Sequence, residues 1–152
     1  MSYKEMFHSD LVELHLQVDN EEEAFEVIGT RLKELGYVNE GYLEGIKRRE
    51  QAFPTGLITQ YLNIGLPHSD PEFVEKPFIY IVRLVEDVTC RQMGDSREMN
   101  VKNLFFLGIK NGKEQVGLLQ SFMNLFMDEN FVSTYTSLDK KEEIYQLFVN
   151  HI

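Results

Sequence analysis

The sequence predicts an α/β fold in which helices cover a central sheet. Two observations carry this reading. Runs rich in β-branched and aromatic residues occupy 78–84 and 101–109, and amphipathic helical periodicity follows Asn20 and the Asn111-Gly112 turn. Strand-like and helix-like segments are interleaved along the chain, as a sheet packed against helices requires.

The elements follow in order. Residues 11–18 alternate apolar and polar side chains and read as a first strand. Asp19 or Asn20 then caps a helix whose first turn holds Glu21, Glu22 and Glu23, charges suited to the positive end of the helix dipole. Phe25, Ile28, Leu32 and Leu35 form its apolar face, and Gly36 ends it. Asn39 is read as the cap of a second helix running to about Gln51, followed by the punctuation Phe53-Pro54-Thr55-Gly56. An extended stretch, 61–66, leads into Pro67-His68-Ser69-Asp70. After the strand at 78–84, a further short strand is read near 88–93. The strand at 101–109 precedes a helix over 113–127 with Val116, Leu119, Met123 and Phe126 inward. Short helices near 129–134 and 139–149 complete the chain.

A length of 152 residues suits one domain, 1–152, with room for a substantial core. The formal charge is −10, from 25 acidic and 15 basic side chains. That balance repels nucleic acid and anionic membranes, so neither is an expected partner. The lone cysteine, Cys90, excludes an internal disulfide framework and points to the reducing cytoplasm. No apolar run approaches the roughly 18 residues that span a bilayer. Residues 1–10 lack the basic-then-apolar order of a signal peptide. Any service to a membrane process is therefore expected from solution or through a partner, without membrane insertion.

Among the four histidines, His8 and His151 lie near the ends and His15 lies within a strand, where a structural role is expected. His68 differs. It follows a proline at the end of an extended segment, the end of an α/β sheet where functional side chains gather. No His-x-x-x-His, Cys-x-x-Cys or Glu-x-x-His spacing suggests a metal. No phosphate loop, dinucleotide glycine fingerprint or Gly-x-Ser-x-Gly elbow appears. No cofactor is expected. These absences narrow the field to proteins acting on a group that a partner presents.

Two linked segments then carry a specific resemblance. Arg49-Glu50-Gln51-Ala52-Phe53-Pro54-Thr55-Gly56-Leu57, followed by Asn63-Ile64-Gly65-Leu66-Pro67-His68, resembles the signature of phosphotransferase system enzyme IIA domains of the mannitol/fructose superfamily. In that signature an Arg-Glu pair stands six residues ahead of a threonine, and an apolar segment ending in Pro-His comes about a dozen residues later. The order of elements is similar over nearly the whole chain. Mannitol-type members carry a second histidine early in the helix after the last strand, and here Gln115 occupies that place. The galactitol-type branch is similar in having glutamine there and in the Phe-Pro-Thr-Gly wording.

The resemblance implies a mixed central β-sheet flanked by helices on both faces. It also implies a phosphocarrier in PEP-dependent sugar or polyol uptake. The small phosphocarrier protein HPr would donate a phosphoryl group to Nε2 of His68, which would pass it to a cysteine of a cognate enzyme IIB and so to the membrane enzyme IIC. The other ring nitrogen is expected to donate a hydrogen bond that fixes the tautomer and turns Nε2 outward. Arg49 is the leading candidate to hold phosphoryl oxygens with its forked donors; the alternative is a helix-end charge paired with Glu50. Thr55 is a phosphate donor or the cap of the next turn. Gln115 is an amide donor to His68 or phosphate, or a polar first-turn residue. Asp70 reads as a helix cap and Cys90 as structural. Of two rival readings, one keeps the fold as a regulatory domain whose His68 phosphorylation controls a regulator or transporter; the other is a different class, a binding or interaction module that takes no phosphate, against which intact Arg49, Thr55 and His68 argue.

Overall fold

The computed structural model describes residues 3–152, so Met1 and Ser2 of the segment read for a leader lie outside it. A five-stranded sheet has the order β1-β4-β5-β3-β2. Its strands are β1 (Phe7–Leu16), β2 (Gly56–Ile58), β3 (Asn63–Gly65), β4 (Phe78–Arg91) and β5 (Glu98–Gly108). The β1–β4 and β3–β5 pairs are parallel, and the β4–β5 and β2–β3 pairs antiparallel, so the sheet is mixed as the resemblance implied.

Among the described residues five α-helices cover it: α1 (Glu21–Glu34), α2 (Tyr42–Ala52), α3 (Gln115–Phe126), α4 (Glu129–Ser137) and α5 (Lys141–His151). Alternation along the strands divides the core into two layers. Leu11, Phe78, Tyr80, Val82, Leu104 and Phe106 face α1 and α2. Val12, Ile79, Ile81, Phe105 and Leu107 face α3, α4 and α5.

Several boundaries differ from the sequence reading for identifiable reasons. β1 starts at Phe7 rather than Leu11, because Phe7 pairs with Ile79 and is buried. The strands read at 78–84 and 88–93 are one strand of 14 residues. The exposed Glu86 and Asp87 look like a break but fall in an irregular stretch of the register between Arg83 and Val88. β2 is absent from the sequence reading; three residues paired only along a sheet edge carry too little alternation to be seen. α1 ends as expected. Asn20 accepts from the Glu23 N–H at 2.8 Å, and Gly36, at φ +83°, lets the Tyr37 N–H reach the Leu32 carbonyl. Leu35, read as inward, lies at the C-cap and is exposed.

α2 begins at Tyr42, three residues after Asn39. Asn39 does not cap it from the N-cap position. Its side chain accepts from the Gly41 N–H and donates to the Glu72 carbonyl, tying the start of α2 to the 3-10 turn Pro71–Phe73. Phe73 packs so closely on Gly41 and Gly45 that a Cβ at either would stand 2.6 Å from its ring. The chain just after His68 is thereby clamped to α2.

The buried face of α3 is Leu118, Phe122 and Phe126, with Leu119 partly buried against it; Phe126 and Leu119 are inward as read, whereas Val116 and Met123 are exposed. Val116 is 76% exposed. The apolar arc of α3 is wide, running from Leu118 past Leu119 to Val116 and Met123, and the part bearing two phenylalanines buries more surface. Phe105 sits at the centre of that layer, with ring centroids 5.2 Å from Phe122, 5.3 Å from Phe126, 5.6 Å from Phe148 and 5.9 Å from Tyr135. Phe105→Ala is expected to lower the unfolding free energy by about 3–5 kcal/mol. Chemical denaturation would show this as a lower midpoint at an unchanged slope.

Candidate functional site

The β3–β5 pairing continues past β3. The Leu107 N–H donates to the Pro67 carbonyl at 3.0 Å, and His68 bridges Leu107 in parallel register. Backbone bonding to the end of β5 therefore sets where His68 sits, and proline restricts the residue before it.

His68 is buried, with 2% of its surface exposed. Its Nδ1 lies 2.8 Å from the carbonyl oxygen of Leu66. A carbonyl can only accept, so Nδ1 carries the proton and Nε2 holds the free lone pair. Nε2 is itself buried and without a hydrogen-bond partner among the described residues. The tautomer is the expected one, but the nitrogen is covered rather than turned to open solvent. Burial is the main force lowering the His68 pKa, and the Arg49 charge adds to it; the Leu66 carbonyl and Asp70 act in the opposite direction. The ring is thus held neutral.

Arg49 lies in the last turn of α2. Its guanidinium does not pair with Glu50. It donates to Asp70 at 3.3 Å and stacks over the Phe53 ring at 5.4 Å, while its Nε is buried and unpartnered. Asp70 precedes the turn Pro71–Phe73 but makes no capping bond with its side chain. Its carboxylate serves Arg49 instead, a role the sequence reading missed. Arg48, Arg49, Phe53, Asp70 and Phe73 line a cleft of about 210 Å³. The guanidiniums of Arg48 and Arg49 share this cleft with the carboxylates of Asp70 and Glu72, so an oxyanion would reach Arg49 there only by displacing Asp70.

Thr55 is buried. Its N–H and hydroxyl donate to the two carboxylate oxygens of Glu50, at 2.9 and 2.7 Å. The hydroxyl proton is therefore committed to Glu50, the closing clamp of the α2–β2 turn. The five-residue spacing from Glu50 to Thr55 was the available signal for this pair. Gln115 opens α3 and is half-buried; it is not bonded to Nε2, which has no partner.

The remaining singled-out residues lie apart. His15, at φ +62°, occupies an irregular part of the β1–β4 register, and its exposed ring meets Asp139 at 2.8 Å. Cys90 is buried, and burial with the Glu21 and Glu50 charges pushes its thiol up to about 12, against any nucleophilic use. Among the described residues no helix is long and apolar enough to cross a membrane.

Comparison with known proteins bears on the family and the fold. A family model described as phosphoenolpyruvate-dependent sugar phosphotransferase system, EIIA 2, matches residues 5–151. The galactitol-specific EIIA component of Escherichia coli K12 is 24% identical over 115 residues, covering 76% of this chain and 77% of that protein. The mannitol-specific enzyme IIA component of Enterococcus faecalis is 28% identical over 137 residues, covering 86% of this chain and 89% of the other. In the solution complex of mannitol enzyme IIA with phosphorylated enzyme IIB from Escherichia coli, a chain 21% identical to this one superposes with a TM-score of 0.76, covering 95% of this chain and 99% of that one. The sheet order, the Pro67-His68 segment and a family match spanning nearly every residue lead to one conclusion: this chain belongs to the EIIA 2 family of the phosphoenolpyruvate-dependent sugar phosphotransferase system.

Proposed function

We propose that this chain is a cytoplasmic phosphocarrier that takes a phosphoryl group from phospho-HPr on Nε2 of His68 and yields it to a cysteine of a cognate enzyme IIB during sugar or polyol uptake. The observation that carries the reading is the fixed tautomer: Nδ1–H is bound to the Leu66 carbonyl, and Nε2 holds an unused lone pair in a site bordered by Arg49.

In acceptance, the Nε2 lone pair attacks phosphorus as the bond from phosphorus to HPr breaks. No proton need leave the ring, because Nδ1–H stays on the Leu66 carbonyl, which also steadies the positive charge the ring gains. Such transfers depend on positioning and charge stabilisation. Arg49 supplies the charge. Its partner before transfer is the carboxylate of Asp70, and phosphoryl oxygens replace that carboxylate as Nε2 is uncovered. Gln115 at the head of α3 is a further candidate donor to the bound phosphoryl group. Thr55 acts on the site through Glu50 and Leu66 rather than by giving its proton to phosphate. The enzyme IIB in the superposed complex supports the choice of recipient.

Incubation of the purified protein with enzyme I, HPr and labelled phosphoenolpyruvate is expected to yield one acid-labile, base-stable label per chain. Adding a cognate enzyme IIB is expected to discharge it. A chain that stays unlabelled by phospho-HPr would overturn the carrier reading.

A further inference from the structure

We propose that Glu50 is a positioning residue for phosphoryl transfer: through Thr55 and Leu66 its buried carboxylate fixes the carbonyl that orients the ring of His68. This rests on the reading of His68 as the phosphoryl acceptor.

The connection is a continuous series of hydrogen bonds. Glu50 accepts from the N–H and the hydroxyl of Thr55, at 2.9 and 2.7 Å. The Thr55 carbonyl accepts from the Leu66 N–H at 3.3 Å. The Leu66 carbonyl accepts from Nδ1–H of His68 at 2.8 Å. The β2–β3 hairpin makes this possible, because Gly56 pairs with Gly65 and so sets Thr55 beside Leu66. Five polar or charged side chains are buried among the described residues, and Glu50, Thr55 and His68 are three of them. Buried polar groups concentrated on one bonded path form a network in which each member limits the others.

The chemistry asks for a carboxylate in particular. Thr55 presents two donors, and an ionised carboxylate offers two acceptors. Glutamine offers one. A protonated Glu50 also offers only one without reversing the bond to the Thr55 hydroxyl. Charge on Glu50 is opposed by burial and by Glu21 of α1, and favoured by Arg91 of β4, by Arg49 on its own helix and by the Thr55 bonds. Cys90 of β4 is the other titratable group that feels its charge. Burial dominates and pushes the Glu50 pKa up to about 7, whereas His68 is held below its ordinary value. The two ionisations are therefore separated. As pH falls, the Thr55 clamp loosens before the acceptor nitrogen is itself protonated.

The test compares wild type, Glu50→Gln and Thr55→Val for the rate of acceptance from phospho-HPr across a pH series from acid to mildly alkaline. It also follows the imidazole nitrogens of His68 by ¹⁵N NMR. Wild type is expected to show an upper inflection near neutrality. Glu50→Gln is expected to accept label on His68 about tenfold more slowly, the scale of one lost charge-assisted hydrogen bond. It is also expected to lose the upper inflection and to show a weakened preference for the Nδ1–H tautomer. Thr55→Val keeps the backbone bond and is expected to move all three readouts the same way by less, which decides the matter should Glu50→Gln fail to fold. A slowed variant that retains the wild-type pH profile and tautomer would overturn the inference, and so would a wild-type rate in both variants. Either outcome leaves a labelled wild type, and with it the carrier reading, intact.

Discussion

His68→Ala is expected to abolish phosphoryl acceptance while leaving the fold in place. The loss should be complete, because no other side chain near the site combines a neutral ring nitrogen, a fixed tautomer and an unused lone pair. His15 is engaged with Asp139, and the exposed ring of His151 has its Nδ1 on the Leu147 carbonyl. His8 lies against Tyr37 with its Nε2 3.5 Å from the Pro77 carbonyl oxygen. The fold should survive, because the Pro67–His68 segment is registered through its backbone to Leu107 and clamped by Phe73 on α2. Removing the imidazole also removes a buried acceptor without a partner, which offsets part of the packing it takes away. Far-UV circular dichroism and a thermal melt check the fold; labelled phosphoenolpyruvate with enzyme I and HPr checks the chemistry. Label retained on a folded alanine variant would move the acceptor elsewhere, and peptide mapping would find it.

The burial of Nε2 gives that result a second meaning. The sequence reading expected an outward-facing nitrogen, and the ring is only 2% exposed. A covered nucleophile stays neutral, since burial is the largest influence lowering its pKa. The same cover keeps bulk water from Nε2 in the unphosphorylated ring. The proposed transfer therefore requires Nε2 to be uncovered, and the long, partly exposed contact between Arg49 and Asp70 is the contact suited to part.

The legibility of these features in the sequence follows the strength of their local signals. β4 and β5 are visible because long runs of Ile, Val, Phe and Leu are buried on both faces. α1 is visible because its cap, its acidic first turn and Gly36 all agree. β3 falls within the extended stretch read at 61–66, but its partner β2 is not visible, because three residues at a sheet edge carry little periodicity, yet the hairpin they form is what sets Thr55 beside Leu66. The inward face of α3 differs in part from the sequence reading because hydrophobicity alone does not rank positions along a wide apolar arc; the aromatic cluster around Phe105 does. At the site, Pro67-His68 and the Arg49–Thr55 spacing are legible through resemblance. The Asp70 partner of Arg49 is not, since nothing local distinguishes a carboxylate that caps a turn from one that crosses to a neighbouring helix.

Arg49→Gln is expected to fold normally and to accept phosphate about 10²–10³-fold more slowly, the scale of losing one preorganised donor to developing charge. Stability should barely change. The Asp70 contact is long, at 3.3 Å, and its carboxylate is 56% exposed, so the ion pair contributes little. Rate should change greatly, because glutamine keeps a neutral amide of similar reach but loses both the charge and the fork that bind two phosphoryl oxygens at once. Arg49→Lys should fall between, restoring the charge without the fork. The substitution to glutamine also removes one of the influences that disfavour a protonated ring, so the pKa of His68 is expected to rise. That makes the rate loss steepest on the acid side, where the protonated fraction grows. A pH–rate series beside an NMR titration of His68 separates the two effects. At high pH only the missing guanidinium slows transfer, and below the shifted pKa the loss of neutral imidazole adds to it. Wild-type transfer by the Arg49→Gln variant across that range would make Arg49 a helix-end charge and leave the stabilisation of phosphate to other donors around His68.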